Sequence, residues 1–264
     1  MHKPWILTDP FHPNMATRID GRYYLFTVSF KGIHKIIQMA TSATLDGPWH
    51  VRAEPVIDLG PPDTFEGYHI DTPTAWWFAD RGEILVFYMG YPSAAQADQP
   101  HSPFGSVDAV AVMKPDDPVA RKLGPVLRPS ALPGHWTTGW AGGLQIIPAH
   151  DGGWFAVINA SPTPPAPVAE NPYMREPAPS LGGWAYTAES WPVKGWQVAD
   201  EPIERIEDVP DAARQAGEGT NFWRQHLLVL PDGRMLLYYN SGPYGSEQMF
   251  AKQADTSTSL QVCG

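Results

Sequence analysis

Short apolar and aromatic runs, each broken by an Asp-Gly-type turn, recur four times along the chain. The copies are IDGRYYLFTVSF (19–30), ADRGEILVFYMGY (79–91), HDGGWFAVINAS (150–161) and PDGRMLLYYNSG (231–242). Their turn aspartates, Asp20, Asp80, Asp151 and Asp232, recur at intervals of roughly 60 to 80 residues, and self-similarity on that scale predicts a modular β architecture built from small sheets in a radial array. Further β-rich runs fall between the copies and divide the chain into four units, over about 1–60, 61–130, 131–205 and from 206 onward. Each unit reads as three or four antiparallel strands, the pattern of a propeller blade. The alternation is blurred, as expected where inner strands are covered on both faces. Only 207–217 (EDVPDAARQAG) has a helical pattern, and 92–106 and 162–180 read as long loops bordering a site.

The expectation is therefore an all-β chain, a single propeller domain over 1–264. The fourth unit is short, so a five-bladed propeller would be incomplete at the C-terminal side. A compact four-unit ring, a truncated five-blade domain and a ring completed by a partner all fit this pattern. An incomplete ring would expose a sheet edge.

Composition narrows the function classes. Hydrophobic residues make up 43% of the chain and charged residues only 17%, which excludes a disordered segment. A formal net charge of −10 argues against nucleic acid or an anionic membrane as partner. No apolar run is long enough for a transmembrane helix. The start, MHKPWILTDPF, lacks a signal-peptide core, so the expected location is cytoplasmic, or secreted if a leader has been removed. Cys263 is the single cysteine, so no internal disulfide or cysteine-based zinc site is expected. The histidines show no zinc-hydrolase spacing. No phosphate-binding glycine loop and no nucleophile elbow occurs.

Three units carry a carboxylate about 9 to 14 residues before the turn: Asp9 in TDPFHP, Asp71 in HIDTPTAWW and Glu218 in GEGTNFW. Cleaving a glycosidic bond takes one protonated carboxyl group and one ionised one, and a third often tunes them. Eleven tryptophans add aromatic faces on which sugar rings stack, although core packing accounts for most of them. Trp77, Trp140 and Trp223 are the stacking candidates. His69, His226 and Arg224 are candidates for binding sugar hydroxyls, and Tyr244 is a further one. Glu66, also followed by glycine, competes with Glu218 for the role of acid.

These motifs resemble the five-bladed β-propeller glycosidases of glycoside hydrolase family 43, the arabinanase and xylosidase group, and their fructan-hydrolase relatives in families 32 and 68. Asp9-Pro10 resembles the family's early Asp-Pro. Asp71 resembles its second-blade Asp, Glu218-Gly219 its Glu-Gly-Pro with Thr220 in place of proline, and ATSATLDGPWHV (40–51) its strand-end signature. The resemblance implies a glycosidase with Asp9 as general base, Glu218 as general acid and Asp71 as the group that raises the acid's pKa and orients it. The implied substrate is an arabinofuranosyl, xylosyl or related oligo- or polysaccharide. No cofactor is implied, and a structural calcium ion is compatible with the pattern. An inverting enzyme would separate acid and base by about 6.5–9.5 Å and a retaining one by about 5–5.5 Å; the motifs fit both. A glycoside phosphorylase on the same scaffold would need Arg, Lys and His gathered near these motifs, and no such cluster is visible in the sequence. A non-catalytic glycan-binding propeller is the remaining alternative.

Overall fold

The computed structural model describes residues 2–92, 106–163, 166–168, 171–176, 180–203, 222–230, 232, 234–242 and 248–254. These residues form strands, turns and connections, with no helix among them. The helical reading of 207–217 falls outside the described residues, as do Glu218 and Tyr244.

Four sheets correspond to the four repeats, arranged as a β-propeller. The first contains β1 (His2–Ile6), β4 (Arg18–Ile19), β5 (Arg22–Lys31), β6 (His34–Ser42) and β7 (His50–Val51). The second contains β8 (His69–Phe78), β9 (Glu83–Tyr91), β10 (Val107–Met113) and β11 (Arg121–Leu127). It is extended past β8 by the hairpin of β2 (Thr8–Asp9) and β3 (His12–Ala16). The third contains β12 (Trp140–Pro148), β13 (Trp154–Ser161), β16 (Leu181–Thr187) and β17 (Gln197–Val198). The fourth contains β18 (Trp223–Val229), β19 (Met235–Ser241) and β20 (Gln248–Ala254). The segment 162–180, read as a loop, includes a small separate sheet of β14 (Ala166–Val168) and β15 (Asn171–Glu176).

The apolar residues of each repeat fill the seams between successive sheets. Phe26, Ile37 and Met39 of the first sheet pack with Ile70, Val86 and Tyr88 of the second. Leu85, Phe87 and Val110 of the second pack with Leu144, Ile146 and Ile158 of the third. Val157 of the third packs with Leu227, Leu237 and Tyr239 of the fourth. Buried apolar faces on both sides of the middle sheets explain why their strands read as nearly continuous hydrophobic runs. The seam between the fourth sheet and the start of the chain is different. There the Asn14 amide donates to the Val229 carbonyl, and the rings of Trp5 and His226 meet at 5.8 Å. The fourth sheet thus meets the second sheet's β2–β3 hairpin through Asn14 and the first sheet through Trp5.

The innermost strands are β1, β8, β12 and β18, and their side-chain bonds show that they run alongside one another. Lys3 Nζ donates to Thr72 Oγ1 (2.9 Å) and Trp5 Nε1 to the Ala75 carbonyl (2.9 Å). Thr74 Oγ1 donates to the Leu144 carbonyl (2.7 Å), and the Leu227 N–H to Gln145 Oε1 (3.2 Å). Each strand also breaks register with its neighbour once, between His2 and Trp5, Asp71 and Thr74, Gly142 and Gln145, and Trp223 and His226. The break falls at the same level in all four. Within it, Lys3 and Thr72 take φ of +50° and Gly143 takes +76°, the left-handed backbone of a bulge. A bulge at the mouth of an inner strand re-aims the side chains on either side of it.

Candidate active site

The bulges define a rim at the N-terminal ends of the inner strands, and Asp71 sits on it. Its side chain is buried, and three groups hold its carboxylate. Oδ1 accepts from the Thr72 N–H (2.7 Å) and stands 3.0 Å from Lys3 Nζ. Oδ2 accepts from Lys35 Nζ at 2.7 Å. Burial alone would raise the pKa of this group. The two ammonium groups outweigh that and hold it well below the usual carboxylate range. Asp71 is therefore a permanently ionised group and cannot serve as a proton donor near neutral pH.

His69 stands beside it at the start of β8. Its Nδ1 accepts the Lys35 backbone N–H at 3.1 Å, which leaves the ring proton on Nε2. Burial, then the charges of Lys35 and His34, lower its pKa to about 4 against the opposing pull of Asp71, so the ring is neutral at pH 7. Its ring packs against Tyr68 with centroids 4.1 Å apart and against Tyr91 at 6.4 Å. His34, whose Nδ1 donates to the Tyr68 carbonyl (2.8 Å), lies edge-on to Tyr68.

The structure does not bring Asp9 to this rim. Thr8 pairs in parallel with Trp76, and the strand between Asp71 and Trp76 rises roughly 15 Å. Asp9 therefore belongs to the opposite end of the inner strands. A base and an acid flanking one glycosidic bond stand about 5 to 9.5 Å apart, so Asp9 and Asp71 cannot share a bond. The cause is local. The inner strand of the first sheet is interrupted after Leu7, whose carbonyl accepts the Thr17 N–H (2.8 Å), and residues 8–16 leave it as the β2–β3 hairpin. Asp9 is used in that hairpin, where Oδ1 accepts the Phe11 N–H (2.8 Å) and Oδ2 lies 3.5 Å from His12 Nδ1. The residue that does occupy the first sheet's rim position is Lys3.

The remaining candidates divide in the same way. Trp140, at the start of β12, is at the rim end and almost wholly buried. Trp77 packs against the core between the first and second sheets, a structural use that replaces the expected sugar platform. His226 lies deeper along the axis against Trp5, and loss of hydration lowers its pKa. Trp223 and Arg224 occupy the fourth sheet's bulge by backbone position; their side chains lie outside the described residues. Glu66 is committed to Tyr88 Oη (2.7 Å) and Lys122 Nζ (2.9 Å). Among the described residues, no group of three or more His, Cys, Asp or Glu side chains is arranged to hold a metal ion.

Two features escaped the sequence reading. The first is the Lys and His cluster around Asp71, whose absence had counted against a phosphorylase. Its signal was the shared proline of His2-Lys3-Pro4-Trp5 and Asp71-Thr72-Pro73-Thr74, which marks the same bulge in two repeats. The second is Asp108 on β10, fully buried, whose Oδ2 accepts the Leu144 N–H at 2.8 Å. Burial raises its pKa to about 7 despite backbone N–H groups from Leu144 and Gly143. Its Oδ1 has no partner among the described residues.

No protein-family model matches the chain, and no curated protein matches it. Solved structures do. An endo-arabinase from Bacteroides thetaiotaomicron matches with a TM-score of 0.58 at 14% identity, over 90% of this chain and 73% of that one. An inulosucrase from Halalkalicoccus jeotgali, bound to kestose, matches with a TM-score of 0.61 at 17% identity, over 97% and 64%. A levansucrase from Gluconacetobacter diazotrophicus matches with a TM-score of 0.63 at 12% identity, over 96% and 62%. The chain thus spans 62 to 73% of the length of these three structures. At such identities the likeness establishes the propeller fold.

Proposed function

We propose that the chain is a glycoside hydrolase whose reaction takes place at the rim formed by the inner-strand bulges. The observation that carries this reading is Asp71, a buried carboxylate fixed in the ionised state at the mouth of a propeller whose fold-level neighbours include an endo-arabinase and a thermostable family-43 glycoside hydrolase. A fixed anion there raises the pKa of a neighbouring carboxylic acid and keeps it protonated until the leaving oxygen takes the proton. Glu218, in the segment leading into the fourth inner strand, is the proposed acid. His69, neutral and carrying its proton on Nε2, is a hydrogen-bond donor to a sugar oxygen, and Trp140 is the rim aromatic nearest in sequence to the third bulge. Asp9 has no part in this reading. The proposed substrate is an arabinofuranosyl, xylosyl or related glycan.

The test is hydrolysis of a panel of aryl arabinofuranosides, xylosides, galactosides and fructan oligomers, with wild type beside Glu218→Gln. Turnover of one member, lost at least a hundredfold in the variant, supports the reading. A folded wild type that binds a glycan from the panel but cleaves none points instead to a glycan-binding propeller.

A further inference from the structure

Asp108 is a buried titratable group that the proposed reaction does not use, and the backbone it holds leads to the rim. In the second sheet Asp71 and Asp108 both pair with Met89, one from β8 and the other from β10. The two carboxyl groups thus belong to one level of a single sheet, separated by two strand spacings of about 4.8 Å. They reach in opposite directions. Asp71 meets the lysines of the first sheet, and Asp108 meets the inner strand of the third.

The contact is with the bulge of β12. The Leu144 N–H donates to Asp108 Oδ2 (2.8 Å), and the Leu144 carbonyl accepts from Thr74 Oγ1 (2.7 Å). The second sheet therefore grips both ends of one residue, directly after Gly143, whose φ of +76° turns the strand. Gly142 closes against the same carboxyl group: a Cβ there would come within 3.0 Å of Asp108 Oδ1 and 2.9 Å of Met89 Cε. The next residue, Gln145, reaches the fourth sheet. Its Nε2 donates to the Gln225 carbonyl, and its Oε1 accepts the Leu227 N–H (3.2 Å). These two bonds bracket His226, where β18 recovers its register after the bulge. A continuous line of contacts thus runs from Asp108 through Leu144 and Gln145 to the inner strand that Glu218 precedes in sequence.

A carboxyl group is an unfavourable occupant of this place. It is wholly buried, and its Oδ1 has no partner among the described residues. Met89 and Leu127 flank it in its own sheet, and Gly142 and Leu144 face it. None of these offers a countercharge. Glu83 and Arg121 lie at the far ends of β9 and β11, where they pair with Phe78 and Val112. Lys122 is bound to Glu66, and Arg128 lies over the Phe65 ring. His69 and Asp71 of β8 face the first sheet, and β12 contains no charged residue. Burying an ionisable group without a countercharge costs stability, so a carboxyl group here calls for a use beyond packing.

We propose that Asp108 is a positioning residue for the glycan site: by holding the Gly143–Leu144 bulge it sets the rim segment that begins at Trp140 and, through Gln145, the course of the fourth inner strand. This deepens the reading above and rests on it for the glycan. An ionised carboxylate holds backbone N–H groups with charge-assisted bonds, roughly twice as strong as those of the neutral acid. The charge of one group buried in the second sheet is thereby felt in the third and fourth.

The experiment follows amide and indole ¹H–¹⁵N signals of the full chain from about pH 5.5 to about pH 8.5, a range that brackets the raised pKa of Asp108. Leu144 reports the bulge, Leu227 the fourth sheet and Trp140 the rim. All three should titrate with one midpoint near 7. The step should vanish in Asp108→Asn, whose amide still accepts the Leu144 N–H but has no titrating proton. If that variant does not fold, Gln145→Met should remove the step at Leu227 and leave it at Leu144. No step at Leu144, a step at Leu144 without one at Leu227 and Trp140, or steps that persist in folded Asp108→Asn overturn the proposal. The second readout is kcat/KM on whichever aryl glycoside the wild type cleaves. The ratio of wild type to Asp108→Asn should grow at least threefold between about pH 6 and about pH 8, and a constant ratio marks a merely structural loss and overturns it. Signals that titrate together in a chain that cleaves no glycoside leave the coupling between sheets and remove the hydrolase. Turnover with a constant ratio does the reverse.

Discussion

Lys35 Nζ stands 2.7 Å from Asp71 Oδ2, while Lys3 Nζ stands 3.0 Å from Oδ1 of the same carboxylate. One buried anion is thus clamped between two strands of the neighbouring sheet. This arrangement fixes where the rim charge sits and ties the start of the chain to the second sheet.

Removing the anion should therefore hurt more than removing one cation. Asp71→Asn leaves two partly buried ammonium groups facing each other and should destabilise the fold by about 3 kcal/mol or more. Lys35→Met leaves Asp71 still paired with Lys3 and should cost less. Urea unfolding of both variants checks the order, and equal losses would contradict the clamp.

The stability profile with pH has two opposed contributions in the same window. Asp108, raised to about 7, keeps its proton in the fold while the unfolded chain loses it near the ordinary carboxylate pKa. Its contribution falls as pH rises from about 4 to about 7. His69, lowered to about 4, stays neutral in the fold while the unfolded chain gains a proton below about 6.5. Its contribution falls as pH drops from about 6.5 to about 4, and His226, also lowered, acts with the same sign. Asp108→Asn should unmask the histidines and steepen the loss of stability on acidification by up to about 1.4 kcal/mol per pH unit. Denaturation midpoints measured between pH 4 and 7 decide this; identical slopes in wild type and variant would contradict it.

Gly183 on β16 lies flat beneath an aromatic ring. A Cβ there would come within 2.2 Å of Trp136 Cη2, and Trp136 is itself fixed by its Nε1–H bond to the Ala199 carbonyl (2.7 Å). Gly183→Ala should cost about 1–3 kcal/mol through overpacking. A thermal midpoint equal to that of wild type would show that the indole has room to move.

The blades were legible because each repeat carries the same local signals. Tyr23 to Phe30, Ile84 to Tyr91 and Trp154 to Ser161 are β-branched and aromatic runs set just after an Asp or Gly turn, and all became middle strands. Less legible was β1. His2-Lys3-Pro4-Trp5 has no alternation and two polar residues, and it is a strand only because its backbone pairs with Phe26 and Val28 and its Trp5 indole reaches Ala75. Missing β1 made Asp9 look like the start of the first inner strand, when it belongs to a hairpin inserted within that strand. The partners of Asp71 were hidden for a related reason. Lys3 and Lys35 meet it across 68 and 36 residues of sequence, and only the radial arrangement brings them together. Asp108 sits in VDAVAVM, where it reads as a polar interruption; that its carboxylate serves the Gly143–Leu144 bulge depends on how the second and third sheets pack.

The most direct measurement compares Asp9→Asn with Asp71→Asn on whichever glycoside the wild type cleaves. If the working site is the rim that holds Asp71, kcat/KM falls at least a hundredfold in folded Asp71→Asn and stays within about threefold of wild type in Asp9→Asn. Loss of activity in Asp9→Asn with Asp71→Asn still active would place the chemistry at the opposite end of the inner strands and contradict the account.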